Sequence, residues 1–328
     1  MDPPRHPGMS GRASVPREGQ TFAGGSLAAR YASFVKLPHT LFALPFAGVG
    51  AVLASHRYPE RVNATTLFWI VLAFTAARFA AMGFNRIVDR EYDALNPRTR
   101  LRELPAGRLT LAQAGAAVAV ASAVFVLAAW GLNPLCGTLA PIALGWIFFY
   151  SYTKRFTRWA HLVLGLSLGI APVGAYLAIA GAWPQPWYAP VVLALGVMFW
   201  VSGFDIIYAL QDIEFDRRIG LHSVAAKYGE RKALALARAA HLAAVVAFLS
   251  LALFQLFPVH GFYLGGVAVM AGLLVYEHRV VRSGGGPLDL PRIDRAFFRA
   301  NIAVSMSFFA FTLLDRIARG AAGPGAMP

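Results

Sequence analysis

Residues 188–211 read YAPVVLALGVMFWVSGFDIIYALQ and run straight into DIEFD at 212–216. At about 1.5 Å per residue, the first stretch as a helix crosses a hydrocarbon core of about 30 Å, and its only charged group is Asp205. It is apolar on every side, as a helix among lipid and other apolar helices must be, rather than along the one stripe that a soluble bundle needs. Similar runs recur at 34–55, 66–87, 111–130, 135–153, 160–181, 234–257, 260–281 and 297–315. The reading is an all-α fold, a polytopic membrane bundle of about nine transmembrane helices. Composition agrees: 57% of the 328 residues are hydrophobic and 14% charged, with a mean hydropathy of +0.54. That excludes a soluble enzyme, and a transmembrane β-barrel would show short alternating strands instead.

Residues 1–25 (MDPPRHPGMSGRASVPREGQTFAGG) are rich in Pro, Gly, Ser and Arg without an apolar run, the composition of a disordered basic tail rather than a signal peptide. Residues 26–328 are expected to form a single transmembrane domain. The net charge of +14 is spread between apolar segments, not gathered in one basic domain, which argues against a nucleic-acid partner. It sorts by side instead. Of 30 Lys and Arg, 25 fall before the first crossing or in alternate loops, against Arg57, Arg61, Arg316 and Arg319 on the other side. Basic residues are retained in the cytoplasm, so the N-terminus and the basic loops are expected there, with the C-terminus outside, in a bacterial inner membrane. Cys136 is the sole cysteine and excludes an internal disulfide.

The acidic residues are few and clustered. Of 16 Asp and Glu, seven lie in NRIVDREYD (85–93) and DIIYALQDIEFD (205–216), each where a span meets a basic loop. Four crossings separate the two segments, so both face one side and can meet across the bundle. Asn85, Asp89 and Asp93 are four apart, as are Tyr208, Asp212 and Asp216, which aligns each row along a helix face, with Asp205 leading the second. Carboxylates stacked at a membrane boundary repel one another and need a cation. Two facing oxygen-rich rows suit Mg²⁺, which binds through a few carboxylates, water and substrate phosphate, so the implied ligand is a diphosphate. Lys154, Arg155, Arg98 and Arg102 stand on the same side to neutralise its remaining charge. Arg78 lies two turns deeper than Asn85, where a cation needs a partner such as an anionic acceptor.

These residues form a known pattern. Asn85, Asp89 and Asp93, followed by Arg98, Thr99, Arg102, Leu104, Pro105 and Gly107, resemble the first signature of the UbiA-type membrane aromatic prenyltransferases, the 4-hydroxybenzoate polyprenyltransferase family. Asp205, Tyr208, Asp212 and Asp216, continuing to Gly220 and Ser223, resemble the second. Tyr150 with Lys154 and Arg155, Arg78 ahead of Asn85, and Lys36 with His39 resemble it too, over roughly residues 30–315. One departure is Arg86, where the ubiquinone branch has Asp.

The resemblance implies a bundle with a central cavity open to the cytoplasmic loops, and Mg²⁺ held by Asn85, Asp89, Asp93, Asp212 and Asp216 between the two motifs. It implies an isoprenoid diphosphate ionised there to an allylic cation, which an aromatic ring attacks. The partners would be a polyprenyl diphosphate, an aromatic acid acceptor and membrane lipid, in ubiquinone or menaquinone biosynthesis. KLPHTLFALPF (36–46) and FDIIYALQDIEFDRRIGLHSV (204–224) are most similar to the branch that prenylates a dihydroxynaphthoate on the futalosine route. Lys154, Arg155 and Arg102 would stabilise the leaving diphosphate, and Asp205 would act as base or orient Tyr208 and metal-bound waters.

A plainer reading stands beside this one. Arg98, Arg102, Lys154 and Arg155 fit positive-inside loop charges, Lys36 a snorkelling side chain, and His39, His161 and His222 interfacial or packing roles. A secondary transporter could use the Asp cluster as a relay, but transporter sites lie near the midplane, whereas these acids crowd one interface beside basic loops. The glycines of LGLSLGIAPVG (164–174) read as close helix contacts.

Overall fold

The apolar runs become helices because, in lipid, a single segment satisfies its backbone polar groups only as a helix. The protein is described from a computed structural model that covers residues 26–36, 40–282, 293 and 296–321; the expected tail 1–25 and His39 lie outside them. In chain order the helices are α1 (Leu27–Phe34), α2 (Thr40–Ser55), α3 (Ala64–Val88), α4 (Arg90–Leu95), α5 (Leu111–Leu132) and α6 (Pro134–Thr153). There follow α7 (Ala160–Ala180), α8 (Ala189–Tyr208), α9 (Ile213–Ile219), α10 (Val224–Leu253), α11 (Gly261–Arg282) and α12 (Asn301–Ala321). Among the described residues eight helical segments are long and apolar enough to cross a membrane, and α2 adds a shorter apolar one, in keeping with about nine. Val120, Leu127 and Leu242 are 64%, 68% and 66% exposed within these spans, a surface suited to lipid and not to water. The chain is an integral membrane protein.

Helix starts follow local sequence. Asn63 accepts a hydrogen bond from the Thr66 N–H at 2.9 Å ahead of α3, Thr110 and Gln113 form a capping box on α5, and Asn133 followed by Pro134 starts α6. Six helices, α2, α7, α8, α10, α11 and α12, close into a ring in that order. Its centre is aromatic: Phe46 lies 4.7 Å from Trp200 and Phe248 lies 4.8 Å from Phe308, ring centre to ring centre. α3, α5 and α6 pack on one another and against α7, outside the ring. Between α7 and α8 the backbones nearly touch, because a Cβ on Gly165 would stand 2.2 Å from the Met198 carbonyl oxygen and one on Gly169 would stand 2.6 Å from that of Ala194.

Three elements differ from the sequence reading. The first run is preceded by a separate short helix, α1, and a turn capped by Ser223, which accepts from the Ala226 N–H, leads into the spanning part of α10 across a non-helical break at Gly229 (φ 75°). The acidic rows also do not lie on unbroken helices. α3 stops at Val88 with Asp89 between it and α4, and a tighter turn at Ala209–Asp212 separates α8 from α9. Each row sits at a break, where backbone and side chains turn into the cavity together.

Candidate functional site: a charged mouth on an apolar cavity

Between α3, α5 and α6 on one side and α7 and α8 on the other lies a cavity of about 640 Å³, lined by Lys36, Arg78, Asn85, Asp89, Asp93, Arg98, Arg102, Lys154, Arg155, Asp205, Tyr208, Asp212 and Asp216, whereas Leu104, Pro105, Gly107, Gly220 and Ser223 of the two motifs do not line it. Its charged part is built from the C-terminal ends of α3, α6 and α8; its apolar part runs along Ile70, Leu132, Cys136 and Leu177 toward the other ends of these helices. The two acidic rows therefore meet, as expected.

The 96–108 loop carries arginines to both rows. Asn96 Oδ1 accepts from the Arg98 N–H at 2.9 Å, and the Thr99 hydroxyl donates to the Asp93 carbonyl at 3.0 Å, folding the loop back on α4. Arg98 then reaches across the bundle. Its Nε and Nη2 donate to the two Asp212 oxygens at 3.1 and 2.7 Å, and its Nη1 donates to the Tyr208 hydroxyl at 2.9 Å. Asn96 Nδ2 adds a third donor to Asp212 at 3.1 Å. Arg102 Nη1 donates to Asp93 Oδ1 at 2.7 Å. These two arginines hold carboxylates of the two rows, a bidentate fork in one case, rather than standing apart from them.

Asp89 has a different environment. Asn85 Nδ2 donates to its Oδ2 at 3.0 Å, and Arg155 is only loosely paired with it at 3.9 Å. Burial pushes the Asp89 carboxyl up to about 6, with Asp93 adding repulsion and Lys154, Arg102 and Arg155 opposing. Arg155 is anchored by donating to the Val88 carbonyl at 2.9 Å and lies 5.3 Å from the ring centres of both Tyr92 and Tyr152. Burial by itself would lower the Lys154 ammonium, but Tyr150 and the carboxylates of Asp205, Asp216 and Asp212 hold it above the ordinary lysine value. Arg78, Tyr150 and Lys36 line the same cavity, and Lys36 has a left-handed backbone at φ 46°. Arg86, at the departure from the ubiquinone pattern, is buried and lines it as well.

The donor set fits Mg²⁺ in kind, since Asn85, Asp89, Asp93, Asp212 and Asp216 offer hard oxygen ligands and, among the described residues, Asp89 has only Asn85 at hydrogen-bond distance, with Arg155 at 3.9 Å. Among the described residues no three acidic, His or Cys side chains are already gathered closely enough to hold a metal. Arg98 and Arg102 occupy part of that role at Asp212 and Asp93.

Three residues escaped the sequence reading. Asn96 supports both Arg98 and Asp212, and buried Glu103 accepts from the Ser33 hydroxyl at 2.6 Å, tying the loop to α1. His161 is not a packing residue: it is 1% exposed, with Nδ1 2.6 Å from Asp205 Oδ2. The available signal was its place one turn before Gly165 and Gly169, the row that brings α7 onto α8.

A helical bundle that spans a membrane and encloses a cavity charged at one end and apolar along the rest defines an integral membrane enzyme. More particularly, the chain belongs to the UbiA prenyltransferase family, which matches residues 43–302, and it is a prenyltransferase. It is 30% identical over 273 residues to a 4-hydroxybenzoate octaprenyltransferase of Nitrosospira multiformis, covering 83% of this chain and 89% of that one. A polyprenyl transferase of Arthrobotrys oligospora is 36% identical over 165 residues, 49% of this chain and 44% of that protein. Among solved structures, a UbiA homologue of Aeropyrum pernix in its apo form has a TM-score of 0.75 at 33% identity, covering 84% of this chain and 98% of that one. A UbiA homologue of Archaeoglobus fulgidus bound to DMAPP and Mg²⁺ shares the fold, with a TM-score of 0.68 at 18% identity over 88% of this chain and 99% of that one.

Proposed function

We propose that the protein transfers a polyprenyl group from an isoprenoid diphosphate to an aromatic acid, a hydroxybenzoate or dihydroxynaphthoate, in quinone biosynthesis, with its catalytic mouth on the cytoplasmic side of a bacterial inner membrane. The observation that carries this reading is the meeting of both acidic helix breaks with Lys154 on one cavity whose remaining wall is apolar. The names of the bacterial relatives support a hydroxybenzoate acceptor, and the 25 basic residues on one side support the orientation.

Lys154 and Arg155 would bind the diphosphate and stabilise the charge it gains as the allylic C–O bond breaks. Asn85, Asp89, Asp93, Asp212 and Asp216 would hold Mg²⁺, which supplies Lewis-acid stabilisation of the leaving oxygen when bound. Arg98 and Arg102 hold the Asp212 and Asp93 carboxylates in place at the cavity wall by hydrogen bonds of 2.7 Å each. The apolar wall along Ile70, Leu132 and Leu177 accommodates the tail and keeps water from the allylic cation. Arg78 would hold the acceptor carboxylate, with Lys36 lining the acceptor side. Asp205 withdraws the phenolic proton, a ring carbon attacks the cation, and the hydrogen on that carbon then leaves as a proton that returns to the phenol oxygen and restores the aromatic ring, so the products are diphosphate, the prenylated acid and the one proton taken by Asp205. Pyrophosphate release by purified protein, with geranyl diphosphate and each acid in turn, tests the reading. Release that depends on both substrates and on Mg²⁺ is the expected result; none with any acid would refute it.

A further inference from the structure

We propose that His161 is a positioning residue for Asp205, holding that carboxylate with one oxygen turned to the cavity; this deepens, and rests on, the role given to Asp205 above. Gly165 and Gly169 let α7 approach α8 until Cβ atoms would collide with the Met198 and Ala194 carbonyl oxygens, and His161 lies one turn before Gly165 on the same row. The Ser202 hydroxyl sits in this contact, 2.6 Å from the Met198 carbonyl oxygen of its own helix and 3.0 Å from that of His161. His161 is thereby placed against the α8 turn that carries Asp205.

Its two ring nitrogens have distinct partners. Nε2 is 3.5 Å from the backbone nitrogen of Val224, the first residue of α10, whose N–H has no acceptor within its own helix. Ser223 accepts from the Ala226 N–H, not from that of Val224, so the imidazole is the partner that N–H has. A nitrogen that accepts from an N–H carries no proton of its own, so the ring proton belongs on Nδ1, where it is donated to Asp205 Oδ2 at 2.6 Å.

The two side chains differ in access. Asp205 lines the cavity and keeps 16% of its side chain exposed, while His161 is 1% exposed and does not line it. Oδ2 is held from behind by His161, which leaves Oδ1 as the oxygen facing the reactants. The arrangement also limits where a proton can go. With Nε2 turned to a backbone donor, His161 cannot pass a proton inward, so any proton that Asp205 takes from the acceptor returns to the cavity, to diphosphate or water. His161 acts by geometry and hydrogen bonding alone.

The test compares His161→Ala, which removes the donor, with His161→Asn, whose amide N–H can occupy nearly the Nδ1 position. Turnover of the full-length protein in nanodiscs is measured with geranyl diphosphate and the aromatic acid it uses, each varied in turn. His161→Ala should lower kcat roughly 10- to 100-fold, with the KM for the diphosphate changed less than about twofold, and His161→Asn should restore most of the loss. Nitrogen-15 NMR of histidine-labelled protein should independently show a neutral His161 protonated at Nδ1, with a signal that shifts in Asp205→Asn. An unchanged kcat in His161→Ala, an equal loss in Ala and Asn variants, or a cationic or Nε2-protonated ring would each overturn the proposal. Asp205→Asn separates the two layers: near-normal turnover there removes the role of Asp205 and this proposal with it. Loss in Asp205→Asn with none in His161→Ala retires His161 alone.

Discussion

Arg98→Met should destabilise the protein through Asp212, and the structure sets the size of the effect. Arg98 and Asp212 have side chains 8% and 14% exposed and are joined by two hydrogen bonds, while Arg98 also donates to Tyr208. Removing one partner of a buried ion pair costs about 3–5 kcal/mol, chiefly because the other charge is left in a poor medium. Asn96 still donates to Asp212 and the Lys154 charge still acts on it, so the low end, about 3 kcal/mol, is expected. At an unfolding entropy of about 2.1 cal/mol/K per residue, a chain of 328 residues then loses roughly 4 °C of its thermal unfolding midpoint. The assay is thermal unfolding in one detergent with chelator present, so that no divalent cation replaces the missing charge. Asp212→Asn in the Arg98→Met background removes the stranded carboxylate and should recover much of the loss, so the two changes are not additive. A midpoint within about 2 °C of the parent, or a double variant less stable than Arg98→Met by the full cost of Asp212→Asn, would refute the coupling of Arg98 to Asp212.

Activity should vanish with excess chelator and return with Mg²⁺, and Asp89→Asn, Asp93→Asn and Asp216→Asn should each remove most transfer while leaving a folded protein; turnover in chelator would end the metal reading. Arg78→Ala should raise the KM for the aromatic acid much more than that for the diphosphate, with Arg78→Lys restoring part, and equal effects on both substrates would exclude the carboxylate-anchor role. Cysteines placed at Arg100 and Arg218 should react with an impermeant thiol reagent only from the cytoplasm and one at Arg57 only from outside; labelling of the first two from opposite sides would contradict the shared mouth. Gly50→Ala should lower stability by about 1–3 kcal/mol because its Cβ would stand 1.9 Å from the Pro172 backbone oxygen, which has no rotamer to escape by, and an unchanged unfolding midpoint would show that α2 and α7 can separate freely.

By itself the sequence determined the solvent and the class of chemistry. A run such as 188–211 has one folded outcome in lipid, since backbone hydrogen bonds must close within the segment, so the spans were legible without any knowledge of their partners. The acids were legible for the opposite reason: Asp89, Asp93, Asp212 and Asp216 are so costly at a membrane boundary that their spacing alone announces a shared charged site.

What tertiary structure decided is which charge each of them faces. Spacing makes Asp212 one ligand in a row, but Arg98 arrives from a loop more than a hundred residues earlier and grips it with two nitrogens, a pairing that no local pattern encodes. The rows themselves were read as continuous helix faces, because period alone cannot register the breaks at Asp89 and Ala209–Asp212 that turn them into the cavity. His161 shows the same limit. Its sequence neighbourhood is that of a histidine at a helix start, and only the approach of α7 to α8 through Gly165 and Gly169 gives it Asp205 on one nitrogen and the Val224 amide on the other. Hydrophobicity acts on a segment alone and can be summed along the chain, whereas a hydrogen bond or ion pair needs a partner within about 3 Å, and partners are brought together only when the helices pack.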